Sequence, residues 1–338
     1  METRNPVFVV GYPRSGTTLL RALLGAHPCV SMFHEPELAF GLYRAGYSID
    51  SVFREEEREM LLSQLREFKL TRRHLEALSP VTLEAFLSKS GAMSFREVYE
   101  SLLPKPEGAR VWGEKSLNNS FLLPILSKLY PRALFVILVR DGRSTILSNY
   151  RKAQALYKTK VSGGRSLSDL TPKREDLRFF IREAMKWKEW MQSLERNKQL
   201  VAPESVLEIK YEELLQRPEE VLSNICEKVG VQLDERMLSP DSRSDDFVLK
   251  RDNAIIHQKV AAPLDPSRAT AYESMPPWTI KIVEHYTKSV LQAHGYELSR
   301  VELPLKDRVV YKVMSAVYQG RLRNNVKSFF GSRNFSAP

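Results

Sequence analysis

Two stretches of this chain combine small, basic and hydroxyl residues at spacings that suit phosphate. The first is Gly11-Tyr12-Pro13-Arg14-Ser15-Gly16-Thr17-Thr18. The β-branched and aromatic run Val7-Phe8-Val9-Val10 precedes it and predicts a buried strand. Leu19, Leu20, Leu23 and Leu24 follow it in a helical pattern. Strand, glycine-containing turn and helix together aim backbone N–H groups and a helix N-terminus at an anion. The two glycines have the spacing of a nucleotide-triphosphatase P-loop, but Thr17 stands where that loop carries Lys. The loop cation is Arg14 instead, so the loop should hold a phosphate without the Lys that serves a β/γ-phosphate pair. The second stretch runs from Arg140 through Asp141-Gly142-Arg143 to Ser148. Arg140 ends an apolar run and Ser148 lies about two helical turns later. A planar guanidinium fork with one added hydroxyl suits a phosphate monoester.

The elements that must position these residues alternate. Cys29–Phe33 reads as a second strand, with the loop His34-Glu35-Pro36-Glu37 at its C-terminal end, where ligands sit in open α/β sheets. Residues 52–103 read as helical and charged, with Arg54-Glu55-Glu56-Glu57-Arg58 as a solvated face, and are expected to form part of an acceptor pocket. Val111–Lys115 is a third strand, followed by a helix from about Asn118 to Tyr130. Leu134–Val139 is the clearest buried strand. Residues 151–173 read as a basic surface segment, and Phe179–Leu194 as an amphipathic helix with Trp187 and Trp190 in the core. Ser205–Tyr211 is a fifth strand. Pro218 opens a helix that Gly230 ends. Residues 236–277 show little regular structure, and Trp278–His294 returns to helix. Strands alternating with helices predict an α/β fold in three layers, a central parallel sheet between helices.

No Pro/Gly/Ser-rich linker divides the 338 residues into halves. One domain over 1–300 is expected, with insertions at about 40–110 and 151–180, and a basic amphipathic helical tail over 301–338. The formal net charge of +10 fits an anionic ligand or surface. Cys29 and Cys226 are the only cysteines, which argues against a disulfide framework and a thiolate zinc site, and no metal is expected. The first strand begins within a few residues of Met1, with no signal-peptide pattern and no apolar run near the ~18 residues of a membrane span. A cytoplasmic location is therefore expected. Lys306, Arg308, Lys312, Arg321, Arg323 and Lys327 alternate with apolar residues in the tail, which could lie on an anionic membrane. A tail helix packed on the domain is the favoured reading.

Tyr12–Leu20 resembles the 5′-phosphosulfate loop of sulfotransferases that use PAPS (3′-phosphoadenosine 5′-phosphosulfate). Arg21–Pro28 extends the likeness toward the tyrosylprotein sulfotransferase branch. The resemblance covers about residues 6–37, 111–151 and 204–230 and implies a P-loop-like fold. It also implies transfer of a sulfuryl group from PAPS to a hydroxyl or amine, releasing adenosine 3′,5′-bisphosphate. By the same likeness Arg14, Ser15, Gly16, Thr17 and Thr18 hold the 5′ side, and Arg140 and Ser148 the 3′-phosphate. Glu35 falls where the tyrosylprotein branch carries its catalytic glutamate, the general base; His34 is the rival base. Lys115 matches a lysine that reaches the bridging oxygen, where it would stabilise charge on the leaving phosphate. Tyr211 would lie near the nucleotide. A Lys or Arg in the 250s or 260s closes over the 3′-phosphate, and Arg268 is preferred to Lys259. The acceptor stays open among small molecule, lipid, glycan and peptide. Two other readings remain. A nucleotide kinase predicts a Lys at position 17. A non-catalytic binder of anionic polymers predicts steep salt dependence; nucleic acid is not expected as a partner.

Overall fold

The computed structural model describes residues 5–103, 108–161, 172–239 and 262–303. Strand β1 (Val7–Gly11) leads into helix α1 (Thr17–Gly25), and β2 (Val30–His34) into α2 (Leu38–Arg44). Then come β3 (Val52–Phe53), α3 (Arg58–Arg66), α4 (Lys69–Leu75), α5 (Pro80–Ser88), β4 (Met93–Ser94) and α6 (Phe95–Ser101). β5 (Val111–Lys115), α7 (Leu123–Leu129), β6 (Leu134–Val139), α8 (Gly142–Val161) and α9 (Leu177–Lys198) follow. β7 (Val206–Lys210), α10 (Tyr211–Gln216), α11 (Pro218–Val229) and α12 (Pro277–Ala293) complete the described elements.

The main sheet has the order β2-β5-β1-β6-β7, and every pairing in it is parallel. These are the five strands expected from the sequence. The three central strands β5, β1 and β6 are buried on both faces, as a sheet covered by helices requires, while the edge strands β2 and β7 are only partly buried. Val7, Val9, Val136 and Leu138 face one way, onto Leu20, Leu23, Leu214, Leu222 and Ile225 of α1, α10 and α11. Phe8, Val10, Phe135 and Ile137 face the other way, into a core that takes in Trp187, Trp190, Ile282 and Val283 of α9 and α12. Alternation with a period of two thus produces the three layers. The tryptophans of α9 are core residues, as expected.

Three local expectations need correction. The 52–103 region is not purely helical: β3 and β4 pair antiparallel at its ends. The helix expected from Asn118 begins instead as a 3₁₀ turn, Leu117–Phe121, and restarts at Leu123 with Pro124 in its first turn. The surface segment expected from residue 151 is helical as far as Val161, because α8 runs on without a break. Among the described residues no helix is long and apolar enough to cross a membrane. The tail from Leu305 and Lys259 lie outside the described residues.

Candidate active site

The parallel sheet delivers the candidate residues to one end. Gly11, His34, Lys115, Val139 and Lys210 are the C-terminal residues of the five strands. The phosphate loop, Glu35, Arg140 and Tyr211 each begin where a strand stops.

The loop after β1 closes on itself. The Ser15 N–H and hydroxyl both donate to the Tyr12 carbonyl, at 3.1 and 2.7 Å. Arg14 is left-handed at φ 73° and Gly16 at φ 99°. The N-terminus of α1 has no side-chain cap, so its first N–H groups are available to an anion. A Cβ on Gly16 would overlap the Tyr211 ring. Gly16→Ala therefore meets both a clash and a left-handed backbone, and should cost roughly 2–4 kcal/mol in all. Chemical denaturation checks this: a loss under 1 kcal/mol would contradict the packing described.

Arg140 sits behind this loop. It donates to the Arg14 carbonyl at 3.1 Å and the Arg268 carbonyl at 2.9 Å, and its guanidinium lies 4.4 Å above the Tyr211 ring. Its Nε is buried without a hydrogen-bond partner. The Arg14 Nε donates to Ser148 Oγ at 3.3 Å. One helical turn beyond Ser148, Arg151 donates to Ser274 Oγ at 3.1 Å, and its own Nε is also buried and unpartnered. Burial, then the Arg140 charge, pulls the Arg14 and Arg151 guanidiniums below the ordinary arginine value. No carboxylate among the described residues is bonded to these three cations. Arg143, three residues from Arg140, is the contrast: Asp141 at 2.6 Å and Glu284 at 2.7 Å neutralise it. Like charges held together without counterions, with buried donors to spare, fit a bound phosphate dianion.

Arg268 reaches the site through its carbonyl, while its guanidinium faces Asp265 at 3.4 Å. Arg151 was not expected from the sequence. Its position three residues after Ser148 on a helix was the available signal, hidden by the basic stretch around it.

On the other side of the loop, Lys115 ends β5 almost fully buried and pairs with the Glu35 carboxylate. The Glu35 N–H donates to the Lys115 carbonyl at 2.8 Å, extending the β2–β5 ladder by one bond. His34 lies opposite Lys115 in that ladder. Glu35 then turns left-handed at φ 48°, which takes the chain off the sheet. Glu37, also left-handed at φ 51°, buries its carboxyl. Its N–H donates to Ser116 Oγ at 3.4 Å, and Thr71 Oγ1 donates to its carbonyl at 3.1 Å. Burial, then Glu35 and Glu114, pushes its carboxyl up to about 8. Burial likewise raises Glu114 to about 7.

A raised carboxyl destabilises the fold above its unfolded value. Below pH 4.5 both states of Glu37 are protonated; between there and about 8 only the unfolded state ionises, so stability falls with pH. The slope is up to ~1.4 kcal/mol per pH unit. Denaturation at pH 5 and pH 8 should therefore show Glu37→Gln gaining stability mainly at pH 8. Equal pH dependence in the wild type and the variant would refute the buried neutral acid.

A sulfotransferase family model matches residues 6–235. The chain belongs to the sulfotransferase family. A protein named as a putative protein-tyrosine sulfotransferase of Caenorhabditis briggsae is 26% identical over 236 residues, 69% of this chain and 68% of that protein. Protein-tyrosine sulfotransferase 1 of Danio rerio is 26% identical over 69% of this chain, but the match spans only 55% of that relative. Among solved structures, the sulfotransferase domain from the curacin biosynthetic pathway superposes with a TM-score of 0.55 at 18% identity, covering 88% of this chain and 100% of that one. That likeness supports the three-layer sulfotransferase fold.

Proposed function

We propose that this sulfotransferase uses PAPS as donor and a hydroxyl or amine as acceptor. The observation that carries the reading is the cluster of Arg14, Arg140 and Arg151, without a bonded carboxylate, beside a P-loop-like turn that has Thr17 in place of Lys. PAPS, when bound, supplies the activated sulfuryl group and leaves as adenosine 3′,5′-bisphosphate. Arg14, Ser15, Gly16, Thr17, Thr18 and the first amides of α1 would hold its 5′ side. Arg140, Ser148 and Arg151 would hold the 3′-phosphate, with Tyr211 backing both Gly16 and Arg140.

Glu35 takes the acceptor's proton on its carboxylate, and Lys115 offers positive charge where the leaving phosphate gains negative charge. The contact between these two side chains supports reading them together as base and charge stabiliser. The curated relatives are named for protein tyrosine, so tyrosyl peptides are the first acceptors to try, followed by a cell extract. Incubation with sulfur-labelled PAPS should move label onto an acceptor and release adenosine 3′,5′-bisphosphate. Label that stays on PAPS with every acceptor, while ATP with Mg²⁺ is consumed, would replace this reading with a phosphotransferase.

A further inference from the structure

Glu37 is a buried acid that the mechanism above does not use. It shares a short loop with Glu35, and the two flank Pro36 in left-handed conformations, at φ 51° and 48°. Left-handed residues other than glycine persist only where their surroundings hold them. Glu37 supplies those holds. It is the residue before α2, yet its side chain does not cap that helix. It crosses instead to the segment after Lys115, where its Oε1 accepts from the Asn118 N–H at 3.5 Å. The 3₁₀ turn Leu117–Phe121 has no side-chain cap from its own Ser116, so the Glu37 carboxyl stands in that place. The Glu37 N–H donates to Ser116 Oγ at 3.4 Å, and its carbonyl accepts from Thr71 Oγ1 of α4 at 3.1 Å and from the Gly41 N–H of α2 at 2.8 Å. Three elements therefore meet at Glu37, and the two segments it joins carry Glu35 and Lys115.

Glu37 is 2% exposed, its Oε2 has no hydrogen-bond partner, and among the described residues no cation is bonded to it. The charged groups that act on it are the carboxyls of Glu35, on its own loop, and of Glu114, on β5. Lys115 is paired with Glu35. On α4, His74 is bonded to the Leu102 carbonyl at 2.7 Å, and on α2, Arg44 lies against the Phe68 ring. A charge on Glu37 would be buried beside two other carboxyls with no counterion of its own, which is costly. We propose that Glu37 is the positioning residue of the base: its protonated carboxyl ties the loop that carries Glu35 to the segment after Lys115, and its ionisation releases that loop. Released, the carboxyl ionises near the ordinary 4.5; in place it keeps its proton up to about 8. Between those values the released form gains up to about tenfold per pH unit over the tied one, and above about 8 the gain stops.

This proposal rests on the reading of Glu35 as the base, and its test separates the two. The Glu35 N–H, bonded to the Lys115 carbonyl at 2.8 Å, reports directly whether the loop is in place. Its hydrogen-exchange protection is measured by NMR on the full chain without ligand, between pH 5 and pH 7 and corrected for the intrinsic rate. Wild type should lose roughly tenfold protection per pH unit. Glu37→Gln keeps the Oε1 acceptor and cannot ionise, so its protection should stay level across that range. Glu37→Ala removes the acceptor and should lower protection about three- to tenfold already at pH 5. The Val136 N–H, in the middle of the sheet, should stay better protected than Glu35 throughout. Equal protection at Glu35 and Val136 would mean exchange by unfolding rather than by release of the loop, and would overturn the proposal. The same pH slope at Glu35 in wild type and Glu37→Gln would also overturn it, and a slow Glu35→Gln enzyme would then leave the base reading standing. If the slopes differ as expected but Glu35→Gln transfers sulfuryl groups at a near-normal rate, the base reading falls and the role given to Glu37 falls with it.

Discussion

Replacing Glu35 by Gln is expected to slow single-turnover transfer from PAPS by roughly 10²–10⁴-fold. Gln keeps the shape of the side chain and removes only its capacity to accept a proton. Affinity for adenosine 3′,5′-bisphosphate should stay nearly unchanged, because the arginines that would hold the nucleotide lie in the loop after β1, at the end of β6 and on α8. His34→Asn should have the smaller effect on turnover. Glu35 is the residue that pairs with Lys115, whereas His34 is the last residue of the strand before it. Lys115→Ala should slow the chemical step by about 10²–10³-fold. It also removes the Lys115 contact from the Glu35 carboxylate, so its effect and that of Glu35→Gln should not add. A Glu35→Gln enzyme at near-normal rate beside an inactive His34→Asn enzyme would reverse the two roles.

Arg140→Ala is expected to weaken adenosine 3′,5′-bisphosphate on the order of 2–5 kcal/mol, the cost of losing a buried charged partner. Adenosine 5′-phosphate should also weaken, though less, because Arg140 holds the Arg14 carbonyl as well as facing the 3′ subsite. Arg143→Ala tests the contrast. Arg143 is bonded to Asp141 and Glu284, so its loss strips the buried Asp141 carboxylate of its guanidinium, while Glu284 keeps Lys281 at 3.2 Å and the Ser299 N–H. That change should lower stability rather than alter preference between the two nucleotides. Calorimetry on both variants decides it: equal weakening of the two nucleotides by Arg140→Ala would remove Arg140 from the 3′ subsite.

The sheet was legible because its strands are short, largely apolar runs, with Leu134–Val139, buried on both faces, the extreme case. Strands β3 and β4 were not, since two residues carry no period. Helix α8 was cut short in the sequence reading because its second half is basic and polar, a composition shared by loops and exposed helix. Arg14, Arg140 and Ser148 could be picked out because they stand at fixed distances from strand ends. Which arginine of Arg140-Asp141-Gly142-Arg143 lacks a counterion was not legible from charge alone. Glu284, 141 positions away, neutralises Arg143, and only the packing of α12 on α8 brings it there. Glu37 and Glu114 were missed for a related reason: an acidic residue in a loop or at a strand end reads as solvated, yet both carboxyls are buried.

The most direct measurement of the central claim is calorimetric titration of the wild-type protein with adenosine 3′,5′-bisphosphate, adenosine 5′-phosphate, and ATP with Mg²⁺. Charge-assisted bonds from the Arg140 cluster to the 3′-phosphate predict that the bisphosphate binds at least about 30-fold more tightly than adenosine 5′-phosphate. ATP with Mg²⁺ should bind more weakly than the bisphosphate. Tighter binding of ATP with Mg²⁺, or no gain from the 3′-phosphate, would contradict the account.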